Sequence, residues 1–331
     1  MKKKIIINVA MLASVVGSLL LTSCGDTSTG KSIGILKFVE DTPLNLAEDG
    51  FIAGLKEKGF EDGKNITINE QNPNADSTKN TSMASSLVLG NDLVFGIATP
   101  SAVALKSAVD KNGLEIPTLF TAVTNPVGAG LVSDMTTHSE NVCGMSDMTD
   151  VNLVVDALAE FGTVDQVGML YNVSESNSQY QVDLFQKSAE AKGWTVKDMG
   201  VSDDNLITST INSIPDGVDA IYIPTDNHIV DAISQVRQVA KAKGVITICA
   251  DASVCEDGVM VGIGVDYETL GKSVGYMAAK ILNGEVKDAS EIACEFQDTP
   301  IRYINLDIAK EAGITVPQTL IDEADKVYGS N

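Results

Sequence analysis

Arginine is nearly absent from this chain: Arg237 and Arg302 are the two among 331 residues. Tryptophan occurs once, at Trp194, and histidine twice, at His138 and His228. Each shortage excludes something. Arg237 falls in a helical stretch and Arg302 in the terminal segment, so no guanidinium fork is at hand to clamp a phosphate or a dicarboxylate. Two scattered histidines, with no serine or cysteine partner in sequence, speak against a hydrolytic triad and against a transition-metal site. Trp194 follows Gly193 just before an outer strand, far from any loop that would stack it on a sugar ring. Gly262-Ile263-Gly264 lacks the third glycine of a dinucleotide fingerprint. No catalytic residue, metal or cofactor is assigned. The four cysteines beyond residue 24 (Cys143, Cys249, Cys255, Cys294) have no CxxC spacing, and three lie in apolar runs. Buried thiols are the first reading and a Cys249–Cys255 loop bridge the alternative.

Positive charge is also short. Beyond the three leading lysines, 20 basic side chains face 45 acidic ones, a net of −25. Nucleic acid and direct adsorption to anionic lipid are therefore poor partners.

What is present begins with an address. Lys2, Lys3 and Lys4 precede an apolar run from Ile5 to Leu21, which ends in Leu21-Thr22-Ser23-Cys24-Gly25. This resembles the lipobox of a lipoprotein signal peptide: residues 1–23 are expected to be removed and Cys24 to carry the lipid. Residues 24–31 read as a lipidated polar tether. The expected location is extracytoplasmic, anchored to the cell membrane or cell surface.

From residue 32 short apolar runs alternate with helical stretches, the pattern of α/β architecture with parallel sheets. The order then repeats. Gln166 to Tyr171 resembles Ser32 to Phe38, displaced by 134 residues, and Asp219 to Thr225 echoes Asp92 to Pro100. Two doubly wound, Rossmann-like lobes follow, with functional loops at the carboxyl ends of their strands. Val259 to Gly264 reads as a last strand and Tyr267 to Leu282 as a helix crossing back. Chain crossings near residues 147, 265 and 293 divide the chain into 32–147 plus 265–292 and 148–264 plus 293–331, joined by a multi-strand hinge.

Six strand-end loops would then face one another. The first half supplies Glu40-Asp41-Thr42-Pro43, Thr99-Pro100-Ser101 and Thr121 to Pro126. The second supplies Asn172 to Ser178, Thr225-Asp226-Asn227 and Asp251-Ala252-Ser253. Short hydroxyl, amide and carboxylate side chains suit a small zwitterion, whose carboxylate helix N-termini hold and whose ammonium a carboxylate such as Asp226, Asp251 or Glu40 pairs. Helix capping is the structural alternative: Thr99 with Pro100, Ser176, Ser178 and Asp226 all fit it.

Four stretches together carry a family resemblance: Phe120 to Val127, Leu170-Tyr171-Asn172 with Ser176-Asn177-Ser178, Ile223 to Asn227, and Gly264-Val265-Asp266-Tyr267. The chain resembles the tryptophan/tyrosine-type substrate-binding lipoproteins of ABC importers from about Ile33 onward. The resemblance implies a periplasmic-binding-protein type I-like fold. It also implies a monomer that closes its lobes on a free aromatic amino acid and delivers it to an ABC permease with its ATPase. Carried over by position, Thr99, Ser101, Thr124 and Asn125 are first-lobe contacts, with Glu40, Asp41 and Thr42 as a wall for the ligand side chain. Ser176, Asn177, Ser178, Thr225, Asp226, Asn227 and Asp251 serve the second lobe. Where the family often has Glu-His-Pro, this chain has Glu40-Asp41-Thr42. A polar wall suits a phenol, so tyrosine ranks ahead of tryptophan. An adhesin, or a receptor for a nucleoside or sugar, is the alternative.

Overall fold

The computed structural model describes residues 30–330. The expected signal peptide (1–23), the expected lipid site Cys24 and most of the expected tether lie outside the described residues.

The first half runs β1 (Lys31–Lys37), α1 (Thr42–Glu57), β2 (Ile66–Gln71), α2 (Ser77–Gly90), β3 (Leu93–Ile97), α3 (Thr99–Asn112), β4 (Thr118–Thr121) and β5 (Val142–Ser146). The chain then crosses and repeats the scheme as α4 (Val151–Glu160), β6 (Gln166–Asn172), α5 (Ser176–Ala191), β7 (Thr195–Val201), α6 (Asp204–Asn212), β8 (Ala220–Ile223), α7 (Asn227–Asp231), α8 (Ile233–Lys243), β9 (Ile246–Cys249) and β10 (Val261–Gly264). It closes with α9 (Tyr267–Leu282), β11 (Glu295–Phe296), β12 (Ile301–Asn305), α10 (Leu306–Glu311), α11 (Gln318–Asp322) and β13 (Lys326–Tyr328).

The repeat in the sequence is a repeat in topology. The first sheet has the order β11-β5-β4-β3-β1-β2 and the second β13-β12-β10-β9-β8-β6-β7. Stripped of the late strands, both are the doubly wound order 2-1-3-4-5, whose switch point lies between the first and third strands. Each central strand is buried along its whole length, as in β3 and β8. That demands helices on both faces, and explains why these strands read as unbroken apolar runs rather than alternating ones. β10 and β12 pair antiparallel, while β12 and β13 run parallel.

Helix α9 leaves the second sheet and packs on the first half because glycines let it. A Cβ on Gly271 would stand 1.8 Å from the Ala47 carbonyl oxygen, and one on Gly50 2.1 Å from that of Glu268. Only hydrogen at these positions allows α1 and α9 to lie backbone to backbone. One boundary moves. β11 pairs in parallel with β5, Glu295 beside Met145, so Glu295 and Phe296 extend the first sheet and the third crossing falls a few residues later than 293. Two residues of strand carry too little periodicity to be read from sequence.

Cys143, Cys249, Cys255 and Cys294 are all free and buried, so the alternative Cys249–Cys255 bridge is not formed.

Candidate functional site between the lobes

The carboxyl ends of both sheets meet face to face. Thr124 and Thr225, one from each lobe, touch hydroxyl to hydroxyl at 3.1 Å. The rings of Phe38 and His228 meet edge to face with centroids 5.9 Å apart. Between these contacts lies a cavity of about 20 Å³, lined by Asp41, Pro43, Leu44, Ala122, Asp147, Asn177, Thr225, Asp226, Asn227, Val230, Asp251 and Tyr267. That is room for about one water, so an amino acid enters only if the lobes separate. A second cavity of about 450 Å³ opens at the cleft edge, with Thr99, Asn125, Ser176 and Asn177 in its wall. Asn177 belongs to both.

The inner cavity is acidic without a counterion. Among the described residues no lysine, arginine or histidine lines it. Asp147 accepts from the Tyr267 hydroxyl at 3.1 Å through Oδ2, while its Oδ1 is buried with no partner. Burial pushes its carboxyl up to about 6 against the hydrogen bonds that pull it down. Asp251 accepts from the Ser253 amide and hydroxyl at 2.8 and 2.7 Å; burial pushes it to about 6, with the Asp147 charge adding. Asp41 caps α1 by accepting from the Leu44 amide at 2.9 Å through Oδ1, and its Oδ2 is buried and unpartnered. Burial first, then the Asp251 and Asp231 charges, push its carboxyl up to about 8. Desolvation without a partner disfavours the charged form of each acid. Among the described residues no group of three metal-ligating side chains could hold a metal ion.

Two other acids of the second lobe, Asp226 and Glu175, are more fully bonded. Asp226 accepts from the Asn172 amide at 2.6 Å and the Ser178 hydroxyl at 2.7 Å through Oδ2, and caps α7 through Oδ1 to the Ile229 amide at 2.9 Å. Glu175 accepts from the Asn177 side chain at 3.0 Å and the Asn227 side chain at 2.5 Å. Burial and the neighbouring Asp226 charge raise its carboxyl well above the usual range. Gln181 holds Thr225: its Nε2 donates to Thr225 Oγ1 at 2.9 Å and its Oε1 accepts from the Thr225 amide at 3.0 Å. The Thr225 hydroxyl is thus held in place where it shares a hydrogen bond across the cleft with Thr124.

On the first lobe, Ala98 precedes α3 with φ 80° and ψ 153°, and Ala122 follows β4 with φ 54°. Left-handed backbone at a non-glycine residue stores strain, and such strain concentrates at functional sites. Ala98 offers α3 no side-chain cap, so its N-terminal turn stays open, and beside it the buried Thr99 Oγ1 has no partner.

The predicted residues therefore separate. Asp41, Asn177, Thr225, Asp226, Asn227 and Asp251 line the inner cavity; Thr99, Asn125, Ser176 and Asn177 line the outer one. Thr124 bridges the lobes. Ser178 supports Asp226, and Ser101 turns inward to Asn80, donating to its Oδ1 at 3.1 Å. Glu40 and Thr42 are exposed and line neither cavity, but Glu40 lines a third of about 390 Å³ with His228 and Asp231 of the second lobe. Glu40 is drawn off by Lys37 at 3.1 Å and by the Asn72 side chain at 2.8 Å. Lys37, also bonded to Asn45 and Glu48, thereby pins the loop that aims Asp41 inward. Asp147, Tyr267 and the supporting Gln181 and Glu175 were not among the predicted residues. Asp147 had a signal: β5 is the first-half counterpart of β10, and the repeat places another strand-end loop after it.

With this geometry in hand, comparison with known proteins is direct. Residues 32–328 match the family described as ABC transporter substrate binding protein. The tyrosine-binding protein of Clostridioides difficile (strain R20291) is 33% identical over 316 residues, covering 91% of this chain and 90% of the relative. The structure of an ABC domain in complex with L-Trp from Streptococcus pneumonia is 34% identical, with a TM-score of 0.82 over 89% of this chain and 99% of that one. The ligand-free, open structure of a substrate-binding protein with adhesive properties from Clostridium difficile, also 34% identical, gives 0.66 over 91% and 100%. At equal identity, the chain as a whole superposes more closely on the L-Trp complex than on the open form. The chain belongs to the family of ABC transporter substrate-binding proteins.

Proposed function

We propose that this protein captures an aromatic amino acid, tyrosine ahead of tryptophan, for an ABC permease and its ATPase, while a lipid on Cys24 holds it outside the cytoplasm beside them. It binds and releases without chemistry. The observation that carries this reading is the inner cavity: four carboxylates in its wall, two of them with unpartnered buried oxygens, and no basic side chain among them. Such a site lacks a cation, and an α-ammonium supplies one. The uncapped N-terminus of α3, with Thr99 Oγ1 beside it, gives the ligand carboxylate donors without an arginine. The tyrosine-binding and L-Trp-bound relatives support the ligand class. Closure follows from differential contact: ligand held by one lobe adds bonds to the other only when the lobes are shut.

Calorimetry of ligand-stripped protein against tyrosine, tryptophan, phenylalanine and a nucleoside panel tests it. Heat with tyrosine and tryptophan is expected. No heat with any aromatic amino acid, or heat with a nucleoside alone, would sink the proposal. An added adhesive role is favoured by the adhesive relative; it predicts that purified protein binds a surface equally with and without amino acid.

A further inference from the structure

Gln181 is a polar side chain in an apolar place. Its neighbours on α5, Val182, Phe185 and Ala189, pack into the second-lobe core, and Gln181 is itself only 1% exposed. Its amide is spent on β8 and the loop that follows. Oε1 accepts from the Thr225 amide at 3.0 Å and from the Tyr222 hydroxyl at 3.4 Å, while Nε2 donates to Thr225 Oγ1 at 2.9 Å. The loop backbone is held without that last bond. The Asn177 side chain donates to the Thr225 carbonyl at 2.7 Å, and Asp226 accepts from Asn172, Ser178 and Ile229. What Nε2 fixes is the Thr225 hydroxyl, whose other partner is the Thr124 hydroxyl of the opposite lobe. Thr124 is fixed in turn, because Ser146 Oγ donates to its carbonyl at 3.1 Å. Two buried hydroxyls on stiff, β-branched side chains thus meet at a point that each lobe sets for itself.

Resting on the proposed function, we infer that Gln181 is a positioning residue: acting through the Thr225 hydroxyl, it aligns a lobe-to-lobe latch with Thr124 that retards release of the captured amino acid. Separating the lobes breaks this bond, and the bond uses no ligand atom, so it stabilises the closed form whatever the cleft holds. Opening exchanges it for bonds to water, which leaves a net factor of roughly 2–10 in the closed-to-open ratio. The shut cleft that keeps an amino acid out also keeps it in. Release therefore passes through the open form, and the factor passes into its rate.

The test is a double-mutant cycle on release and capture rates of meta-fluorotyrosine, read by fluorine exchange NMR, with melting temperatures alongside. Gln181→Met keeps the volume and removes both amide functions; Thr124→Val cuts the latch from the other lobe. Each alone should speed release by ~3–10-fold without slowing capture, and the double variant should stay within about twofold of Thr124→Val. A Gln181 that only supports the second lobe would lower the melting temperature and multiply the effect of Thr124→Val rather than merge with it. That result overturns the inference, as does an unchanged release rate in either single variant. Should Gln181→Met fail to fold, Thr225→Val removes the hydroxyl and leaves the amide bond to Gln181, and the same merging with Thr124→Val is required of it. These outcomes leave the amino-acid-binding reading standing; a parent protein that binds no aromatic amino acid removes both.

Discussion

The two lobes share one topology, yet they present opposite chemistry to the cleft. On the second lobe the polar residues are mostly satisfied by one another: Asp226 has three partners, Glu175 two amides, and Gln181 fixes Thr225. On the first lobe and its hinge, Asp41 Oδ2, Thr99 Oγ1, Thr121 Oγ1 and Asp147 Oδ1 are buried without partners, and the backbone is strained at Ala98 and Ala122. A fully bonded face is rigid and holds its own shape. A face with open hydrogen-bonding capacity is costly until something fills it. The comparison teaches that acid residues alike in sequence divide into scaffold and receptor. Asp226, the most conspicuous candidate by sequence, lines the inner cavity with both oxygens already bonded inside its own lobe.

The sharpest way to break this comparison is Asp226→Ala. It removes a buried acceptor of three bonds and the cap of α7, so it should lower stability by about 3–5 kcal/mol; denaturant melts measure it. If stability held and tyrosine binding alone vanished, Asp226 would be receptor rather than scaffold. Next comes Asp147→Asn, which retains an acceptor for Tyr267 but loses the charge. Affinity for the amino acid should fall by ~100-fold or more, about 2.7 kcal/mol, while the melting temperature of the ligand-free protein at pH 7 rises. A fall in both would place Asp147 with the scaffold.

The pH dependence draws on acids of both lobes. Asp147 and Asp251 are raised to about 6 and Asp41 to about 8 from an ordinary 3.8. The folded form therefore binds more protons than the unfolded chain between those values. Stability is full below about 4 and falls as pH rises toward 8, by at most roughly 3 kcal/mol for each of Asp147 and Asp251. Thermal melts of ligand-free protein at pH 4 to 8 check the slope, and a bound ammonium should flatten it. The smallest effect belongs to Ala98→Gly, which relieves a conformation suited to glycine and should stabilise the protein by ~1 kcal/mol. Chemical denaturation would show no gain if the first-lobe edge were unstrained.

Much of this molecule was legible because it is written twice. Matching β1 with β6 and β3 with β8 needs only that like sequences make like elements, and the strand-end loops follow from that order. Adjacency in a loop says nothing about direction: the Lys37 side chain draws Glu40 to a different cavity from the one that Asp41 lines. Asp147 is harder to read, because little in the sequence marks β5 as the first-half counterpart of β10.

By itself the sequence determined the two α/β halves, the acid excess and the shortage of guanidinium, since apolar periodicity and net charge survive without coordinates. Only the tertiary structure decided which acids face a ligand. That depends on whether each oxygen finds a donor inside its own lobe, and a hydrogen bond between residues 172 and 226, or the lack of one at Asp41, is settled by packing rather than by spacing along the chain.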